Sequence, residues 1–310
     1  MLGRIGVIAL NMYREAVRAR ILLGLAGLAL ATALYSIVVG EFALKNAPRV
    51  VSDLGAASIS LYAIVVAIVI GATSLYRELE MKTIFPILAR PIAREEYVVG
   101  KFLGILLTLG VFIALDASAV LFILARHGGR SLSVVVPSAL GIVACVGIAM
   151  WRVPRWRTWA LIPGTAVALV VAFFLASGAP DERRVVVGSS ILALLEVGII
   201  TSITMVFSSF SSPFLTAVFT LGLFFVGRDA DTLAHLPARF FGTAIKSMGE
   251  ALARVVPNLQ VYVPPRPLLT GETPDASLWA HIGLASAQSL AWCTALLVLA
   301  TWIFRRRDFL

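Results

Sequence analysis

The sequence contains little charge and almost no cysteine. Only 14% of its 310 residues are charged, against 59% that are hydrophobic, whereas soluble proteins average about 25% charged. Its mean hydropathy of +0.94 shows the same bias. The two cysteines, Cys145 and Cys293, each lie in an apolar stretch, so the sequence predicts neither a disulfide framework nor a Cys-x-x-Cys redox or zinc site. These features indicate an integral membrane protein rather than a soluble domain.

The sequence also lacks the signatures of an enzyme or a metal site. It has no Gly-x-x-x-x-Gly-Lys-Ser/Thr phosphate loop, because Gly100-Lys101 is followed by Phe102. The three histidines are dispersed, without a second ligand at helical spacing, and the serine-rich run 208–212 lacks the Gly-x-Ser-x-Gly pattern of a nucleophile elbow. We therefore predict no catalytic, cofactor-binding or metal-binding residue, and an intramembrane enzyme is disfavoured.

Long apolar stretches dominate what is present. A helix needs about 20 apolar residues to cross a hydrocarbon core of ~30 Å, and eight stretches approach that length: 21–40, 57–76, 98–125, 133–151, 158–177, 185–207, 212–227 and 279–304. The seventh is short, and a count of six to eight spans is compatible with the pattern. The predicted fold is an all-α integral membrane protein, a polytopic bundle of about eight transmembrane helices.

Basic residues alternate between the loops in a way that predicts orientation. The richer clusters fall in residues 1–20, 77–101, 152–157 and 305–307, and the intervening short loops carry only pairs. Because basic short loops stay on the cytoplasmic side, we expect a multi-pass protein of the cell membrane, of the bacterial inner-membrane type, with both termini cytoplasmic. The net charge of +9 is explained by this orientation, and no nucleic-acid partner is predicted.

The chain divides into four predicted segments. Residues 1–20 read as a cytoplasmic amphipathic helix lying on the membrane surface, with Arg4, Asn11, Glu15 and Arg18 on its polar side. Residues 21–227 form a transmembrane domain. Residues 228–278 form an extracytoplasmic segment that is amphipathic and then rich in proline, and residues 279–310 form the last transmembrane helix and a basic cytoplasmic tail.

The loop between the second and third spans carries an unusual pattern. Residues 83–88 present several apolar side chains, but Pro86 interrupts them and the run is too short to cross a membrane. A short helix of this kind, held parallel to the membrane, would let a soluble partner move both flanking spans as rigid bodies. The alternative is an interfacial loop that packs against the inner face of the protein itself, and the residues alone leave both interpretations open.

Several motifs in this loop and beyond it resemble one protein family. Glu80-Met81-Lys82-Thr83, Leu88-Ala89-Arg90-Pro91-Ile92-Ala93-Arg94 and Gly100-Lys101 are similar to the cytoplasmic loop of type 2 ABC-transporter permeases, including the branch associated with copper and nitrous-oxide reductase. Phe207-Ser208-Ser209-Phe210-Ser211-Ser212-Pro213, Val256-Pro257-Asn258-Leu259 and the ending Phe304-Arg305-Arg306-Arg307-Asp308-Phe309 are further points of similarity, in the order of the family. Lys82 replaces a common glycine, and the hairpin 133–177 exceeds the usual six spans.

The resemblance implies a function and a set of partners. Residues 77–97 would contain the coupling helix that docks on a separate P-loop ATP-binding subunit, and ATP hydrolysis would reside in that subunit and not in this chain. Two copies, or this chain and a related permease, would pair with two such ATPases. The absence of an obvious docking site for a binding protein favours an exporter. The implied docking residues are Arg77, Glu78, Glu80, Lys82, Thr83, Ile84, Phe85, Leu88 and Arg94.

Two acidic residues lie near the middle of predicted spans. Asp116 and Glu196 fall at a depth where a charge costs at least ~2.5–3.5 kcal/mol, and no lysine or arginine is expected at a matching depth. They are candidates for the lining of a translocation path. Alternatively, each is a neutral acid bonded to a hydroxyl such as that of Ser118 or Thr201. A self-contained secondary carrier or channel that uses Asp116 and Glu196 is the second functional hypothesis.

Overall fold

A computed structural model describes residues 2–43, 46–80, 93–153, 158–235, 238–272 and 277–306. Within these ranges, the side chains of residues 2, 75–80, 238–242, 244 and 245 are not described. Every regular element in the described part of the chain is helical. The helices, with the labels used from here on, are α1 (Leu2–Arg18), α2 (Arg20–Phe42), α3 (Ala47–Glu80), α4 (Arg94–His127), α5 (Leu132–Arg152), α6 (Leu161–Leu175), α7 (Pro180–Ser208), α8 (Pro213–Arg228), α9 (Ala230–Ala234), α10 (Ala238–Val255), α11 (Arg266–Thr270) and α12 (Leu278–Arg306).

Seven of these helices are long and apolar enough to cross a membrane. They are α2, α3 as far as Ser74, α4, α5, α6 with the following turn, α7 and α12. Each of the eight predicted stretches corresponds to a helix, but the seventh is α8, which has only 16 residues. At 1.5 Å per residue it measures about 24 Å, less than the ~30 Å of a hydrocarbon core. The described part of the chain is therefore all-α, with seven helices of spanning length, as in a multi-pass membrane protein.

Helix α7 lies at the centre of the bundle. It packs against α3, α4, α8 and α12, and its residues are buried on all sides, including Val197, Ile199 and Ile200. A helix that is hydrophobic around its whole circumference is expected in the interior of a large bundle. In contrast, α5 contacts mainly α6 and leaves most of its apolar side chains exposed, as expected for a helix that faces lipid.

Helices α3 and α4 are much longer than a membrane is thick. Each has 34 residues, which corresponds to about 51 Å at 1.5 Å per residue. The segment between them, residues 81–92, contains most of the predicted coupling helix and lies outside the described residues. We call the end of the bundle at Glu80 and Arg94 the loop end. We call the opposite end, at the start of α3 and α7, the cleft end, because an open cleft lined by Asp53 and Val185 lies there.

Helix α1 packs across α4 at the loop end. Ala9, Met12 and Tyr13 are buried on the packed side, whereas the charged side chains of Arg14 and Arg18 are exposed. The Tyr13 hydroxyl donates a hydrogen bond of 2.9 Å to the carbonyl of Thr158, and burial raises the pKa of Tyr13 to about 12. The phenol therefore stays neutral at physiological pH and remains a hydrogen-bond donor.

Glycine at position 104 permits this close crossing, and its replacement should loosen α1. A Cβ atom at Gly104 would lie 2.5 Å from the carbonyl oxygen of Ala9, which is backbone and cannot rotate away. At Gly110, in the same helix, a Cβ atom would approach Leu194 only to 4.0 Å. We expect Gly104→Ala to destabilise the protein by about 1–3 kcal/mol through overpacking. Gly110→Ala should be neutral or stabilise it by up to ~1 kcal/mol through helix propensity.

Thermal unfolding of the two variants in detergent would measure this difference. Both substitutions add one methyl group to α4, so helix propensity cancels in the comparison. Equal unfolding temperatures for Gly104→Ala and Gly110→Ala would show that α1 does not press against α4 at Gly104.

The segment after α8 returns to the bundle instead of forming a separate domain. The amide of Leu259 donates to the carbonyl of Gly227 at 2.9 Å, and the Tyr262 hydroxyl donates to the carbonyl of Ala285 on α12 at 3.2 Å. Burial raises the pKa of Tyr262 above its ordinary value, so this phenol also stays protonated. These bonds place residues 256–270 beside α7, α8 and α12.

Candidate functional site

The implied docking residues are only partly visible in the structure. Arg77, Glu78 and Glu80 lie on the last turns of α3, where the backbone alone is described, and Arg94 is the first residue of α4. The remaining five lie outside the described residues: Lys82, Thr83, Ile84, Phe85 and Leu88. The two flanks of the predicted coupling helix are thus the ends of two long helices.

The start of α4 is attached to two other elements at the loop end. The guanidinium of Arg94 donates hydrogen bonds to the carbonyls of Phe304 (3.2 Å) and Arg305 (2.8 Å) at the end of α12. Arg305 also forms an ion pair with Glu95. On the other side, Arg4 of α1 approaches Glu96 to 4.0 Å. A displacement of the α4 start would therefore be passed to both α1 and α12.

Helix α3 contacts α4 near the same end through a buried lysine. The ammonium group of Lys101 donates a hydrogen bond of 2.6 Å to the carbonyl of Ser74 and lies 5.2 Å from the centre of the Tyr97 ring. Lys101 is buried, and a buried charge of this kind is retained where it is hydrogen-bonded. The two helices that flank residues 81–92 are therefore joined to each other.

Glu196 forms an ion pair in the middle of the bundle. Its carboxylate accepts a hydrogen bond of 2.5 Å from Arg228 at the end of α8 and one of 3.3 Å from the hydroxyl of Ser60 on α3. The expectation that no arginine lies at a matching depth is therefore wrong for Glu196. The physical reason is that α8 is short, so that its last residue, Arg228, reaches the middle of α7 instead of the membrane surface.

Asp116 differs from Glu196 in its surroundings. Its side chain is buried on α4, and neither carboxyl oxygen has a hydrogen-bond partner among the described residues. The expected hydroxyl partners do not serve it, since Ser118 donates to the carbonyl of Leu115 and the hydroxyl of Thr201 is itself buried without a partner in the described chain. Because an ionised carboxylate in such a place would be very unfavourable, the neutral acid is the form that these surroundings favour.

A second charged cluster, which the sequence did not reveal, lies at the cleft end. Arg266, the first residue of α11, forms ion pairs with Asp53 of α3 and with Glu182 of α7. The hydroxyl of Ser52 donates to the same Glu182 carboxylate. Arg49 approaches Asp53 to 3.8 Å from the preceding turn of α3. A single guanidinium thus links α3, α7 and the segment that follows α10.

The two clusters enclose an open cleft of about 350 Å³. Arg266 and Asp53 of one cluster and Arg228 and Ser60 of the other line the cleft, and Tyr262 contributes to its wall. Most of the remaining lining is apolar: Ala56, Ala57, Leu61, Ile64, Val185, Ala193, Phe224, Val263, Pro264 and Leu269. Pockets for small molecules have this composition, with apolar walls and a few convergent polar groups. The cleft is therefore the candidate functional site.

The structure brings Glu196 to this site, through Arg228, but does not bring Asp116 there. Asp116 is absent from the lining of the cleft, and its two oxygens contact no other polar group in the described part of the chain. The two acids, which the sequence suggested as parts of one path, therefore have different surroundings. Glu196 contacts the cleft through two residues that line it, Arg228 and Ser60.

Comparison with known proteins assigns no family to the chain. No model of a known protein family matches the sequence, and no curated protein matches it with significant similarity.

Proposed function

We propose that this chain is the membrane-spanning permease subunit of an ATP-driven ABC exporter, powered by a separate ATP-binding subunit that docks on residues 77–97. In this proposal the docked subunit lies on the cytoplasmic side, and the loop end faces it. A second copy of the chain, or a related permease, would complete the transmembrane part. The proposal rests on the loop motifs of the sequence and on the way in which α3 connects the loop to the cleft.

The observation that carries the proposal is that one helix reaches both the loop and the cleft. Helix α3 ends at Glu80, beside the loop, and carries Asp53 and Ser60, which belong to the two charged clusters of the cleft. From Asp53 to Glu80 the helix rises about 40 Å at 1.5 Å per residue. A force applied to the loop would move α3 as a rigid body, and this movement would change the distances of Asp53 from Arg266 and of Ser60 from Glu196.

Such a movement is a means of opening and closing the cleft. The ion pairs of Arg266 hold α3 and α7 together at the cleft end, and they would break if α3 rotated away from α7. Alternating access in transporters consists largely of such rigid movements around a fixed site. The mostly apolar wall suits a substrate with apolar surface. Export is proposed because the sequence offers no obvious docking site for a substrate-binding protein.

A secondary carrier is the second candidate, and Asp116 is the observation that favours it. A buried acid without a polar partner is a common feature of proton-coupled transport. Glu196, by contrast, is already neutralised by Arg228 and needs no proton to remain buried. The carrier hypothesis therefore depends on Asp116 alone.

Purification of the tagged protein from its native host in a mild detergent distinguishes the ABC permease from the secondary carrier. The ABC proposal predicts a P-loop ATPase in stoichiometric amounts, identified by mass spectrometry, together with ATP hydrolysis by the purified complex. Recovery of the chain alone, without nucleotide hydrolysis, would reject the proposal in favour of the carrier.

A further inference from the structure

A second cavity, of about 550 Å³, lies at the loop end between α1, α2 and α3. Its rim consists of polar residues of α1, among them Asn11, Arg14, Glu15 and Arg18. The other two helices line it with mostly apolar residues, among them Leu22 and Leu25 of α2 and Val66, Val69 and Ile70 of α3, and α3 also contributes Thr73 and Ser74. The lining is thus charged on α1 and mostly apolar on α2 and α3.

The two arginines of the rim are placed to bind one anion. Arg14 and Arg18 are four residues apart on α1 and therefore share one face of the helix. Both side chains are exposed. The guanidinium of Arg14 lies 5.1 Å from the centre of the Trp159 ring, which limits its freedom. A guanidinium presents several N–H groups in a planar fork, a geometry that matches a phosphate group.

The position of the cavity along the membrane normal indicates the rest of the ligand. Helix α2, which is apolar and long enough to span, begins at Arg20, directly after α1. The junction of α1 and α2 therefore marks the boundary between water and hydrocarbon. Arg14 and Arg18 precede the span α2 and so correspond to the headgroup region, whereas Leu25 and Val66 lie within the spans α2 and α3 and so correspond to the acyl-chain region. A soluble anion would contact only the arginines of the rim, whereas a phospholipid would also contact the apolar residues of α2 and α3.

We propose that this cavity binds an anionic phospholipid, with the phosphate held between Arg14 and Arg18 and an acyl chain lying along Leu22, Leu25 and Val66. Basic pockets between transmembrane helices are suited to such headgroups. The proposal is independent of the transport function, because the cavity is separate from the cleft of Arg228 and Arg266. Because α1 packs across α4, a bound lipid would also fix the position of α1 between α2 and α4.

The test measures thermal unfolding of the full-length protein in detergent with dioleoylphosphatidylglycerol or dioleoylphosphatidylcholine added. These lipids have the same acyl chains and differ in the charge of the headgroup. We expect a concentration-dependent rise of the unfolding temperature with phosphatidylglycerol and little change with phosphatidylcholine. An equal rise with both lipids would overturn the proposal.

Two variants with the same change of charge locate the effect. R14Q/R18Q should bind phosphatidylglycerol about tenfold more weakly than the unchanged protein, since two charged hydrogen-bond donors are lost. R20Q/R152Q removes the same charge at two exposed arginines that do not line the cavity and should retain the affinity. An equal loss in both variants would show diffuse attraction to the membrane surface and would overturn the proposal, as would no loss in R14Q/R18Q.

Two further measurements separate a lipid from a soluble anion. Val69 lines the apolar part of the cavity, so V69W should weaken the binding of phosphatidylglycerol while both arginines remain. Inorganic phosphate at the same concentration should give no stabilisation. Stabilisation by inorganic phosphate that equals that by the lipid, or full lipid affinity in V69W, would contradict the proposed lipid site.

Discussion

The Phe85→Glu variant should purify without the ATP-binding subunit that accompanies the unchanged protein. In the proposed complex, Phe85 is the large apolar side chain of the docking segment, and large aromatic side chains contribute most to protein–protein interfaces. Placing a carboxylate in such an interface leaves a buried charge without a partner. We expect a loss of at least ~2 kcal/mol, which is about thirtyfold in affinity, and loss of ATP hydrolysis from the purified sample.

Phe42→Glu is the matched control for this change. Phe42 is the last residue of α2, at the cleft end, and 84% of its surface is exposed. The substitution introduces the same charge at the opposite end of the bundle and should leave the ATPase bound. Retention of the ATPase by Phe85→Glu would reject the docking surface, and its loss from both variants would point to general misfolding instead.

Replacing Arg228 by methionine should strongly destabilise the bundle, because Glu196 would lose its counter-charge. The Glu196 side chain is 1% exposed, and removal of one member of a buried ion pair costs about 3–5 kcal/mol. We expect a loss of about 3 kcal/mol at pH 7.5, measured as a lower midpoint of thermal unfolding in detergent. Methionine keeps a long, unbranched side chain of similar volume at this position, so that the loss reports mainly the charge rather than a cavity.

The double variant Glu196→Gln/Arg228→Met should recover most of this stability, because no charge remains buried. The defect of Arg228→Met alone should also shrink at pH 5, since a proton on Glu196 removes the unpaired charge and is more readily acquired at lower pH. A defect of the same size in the single and double variants, or one that does not change with pH, would show that the Arg228–Glu196 pair is not what holds α8 against α7.

Hydropathy predicted the positions of the helices well, because each apolar stretch needed a helix to satisfy its backbone inside a membrane. Hydropathy did not predict correctly where the helices begin. The second span was predicted to begin at residue 57, but α3 begins at Ala47. The additional turns contain Arg49, Ser52 and Asp53, which are too polar for a hydropathy window. Two of them find partners elsewhere in the chain, since Asp53 pairs with Arg266 and Ser52 donates to Glu182.

The site was predictable only in part, because its charged groups come from distant parts of the sequence. Position along a span identified Glu196 and Asp116 as acids at mid-depth, which the structure places on α7 and α4. The partner of Glu196 was not predictable, because Arg228 follows a span and the sequence suggested that it would lie outside the membrane. Arg266 lies 84 residues from Glu182 and 213 from Asp53 along the chain, and only tertiary packing brings these three together.

In the proposed mechanism, α3 transmits a movement from the loop to the cleft. Ala57 on α3 and Val263 in the segment before α11 are exposed residues that both line the cleft. Neither takes part in the ion pairs, so both can be labelled while Arg266, Asp53 and Glu182 remain in place. The native Cys145 and Cys293 would be replaced by serine.

The most direct measurement is the distance between spin labels at Ala57→Cys and Val263→Cys, by double electron–electron resonance, in the complex with its ATP-binding subunit. Labelled copies would be diluted with unlabelled protein, so that only distances within one chain are seen. If α3 transmits the movement, the distribution of distances should change when ATP is trapped with vanadate, and it should not change in Phe85→Glu. A distribution that is the same with and without trapped ATP would contradict this role of α3.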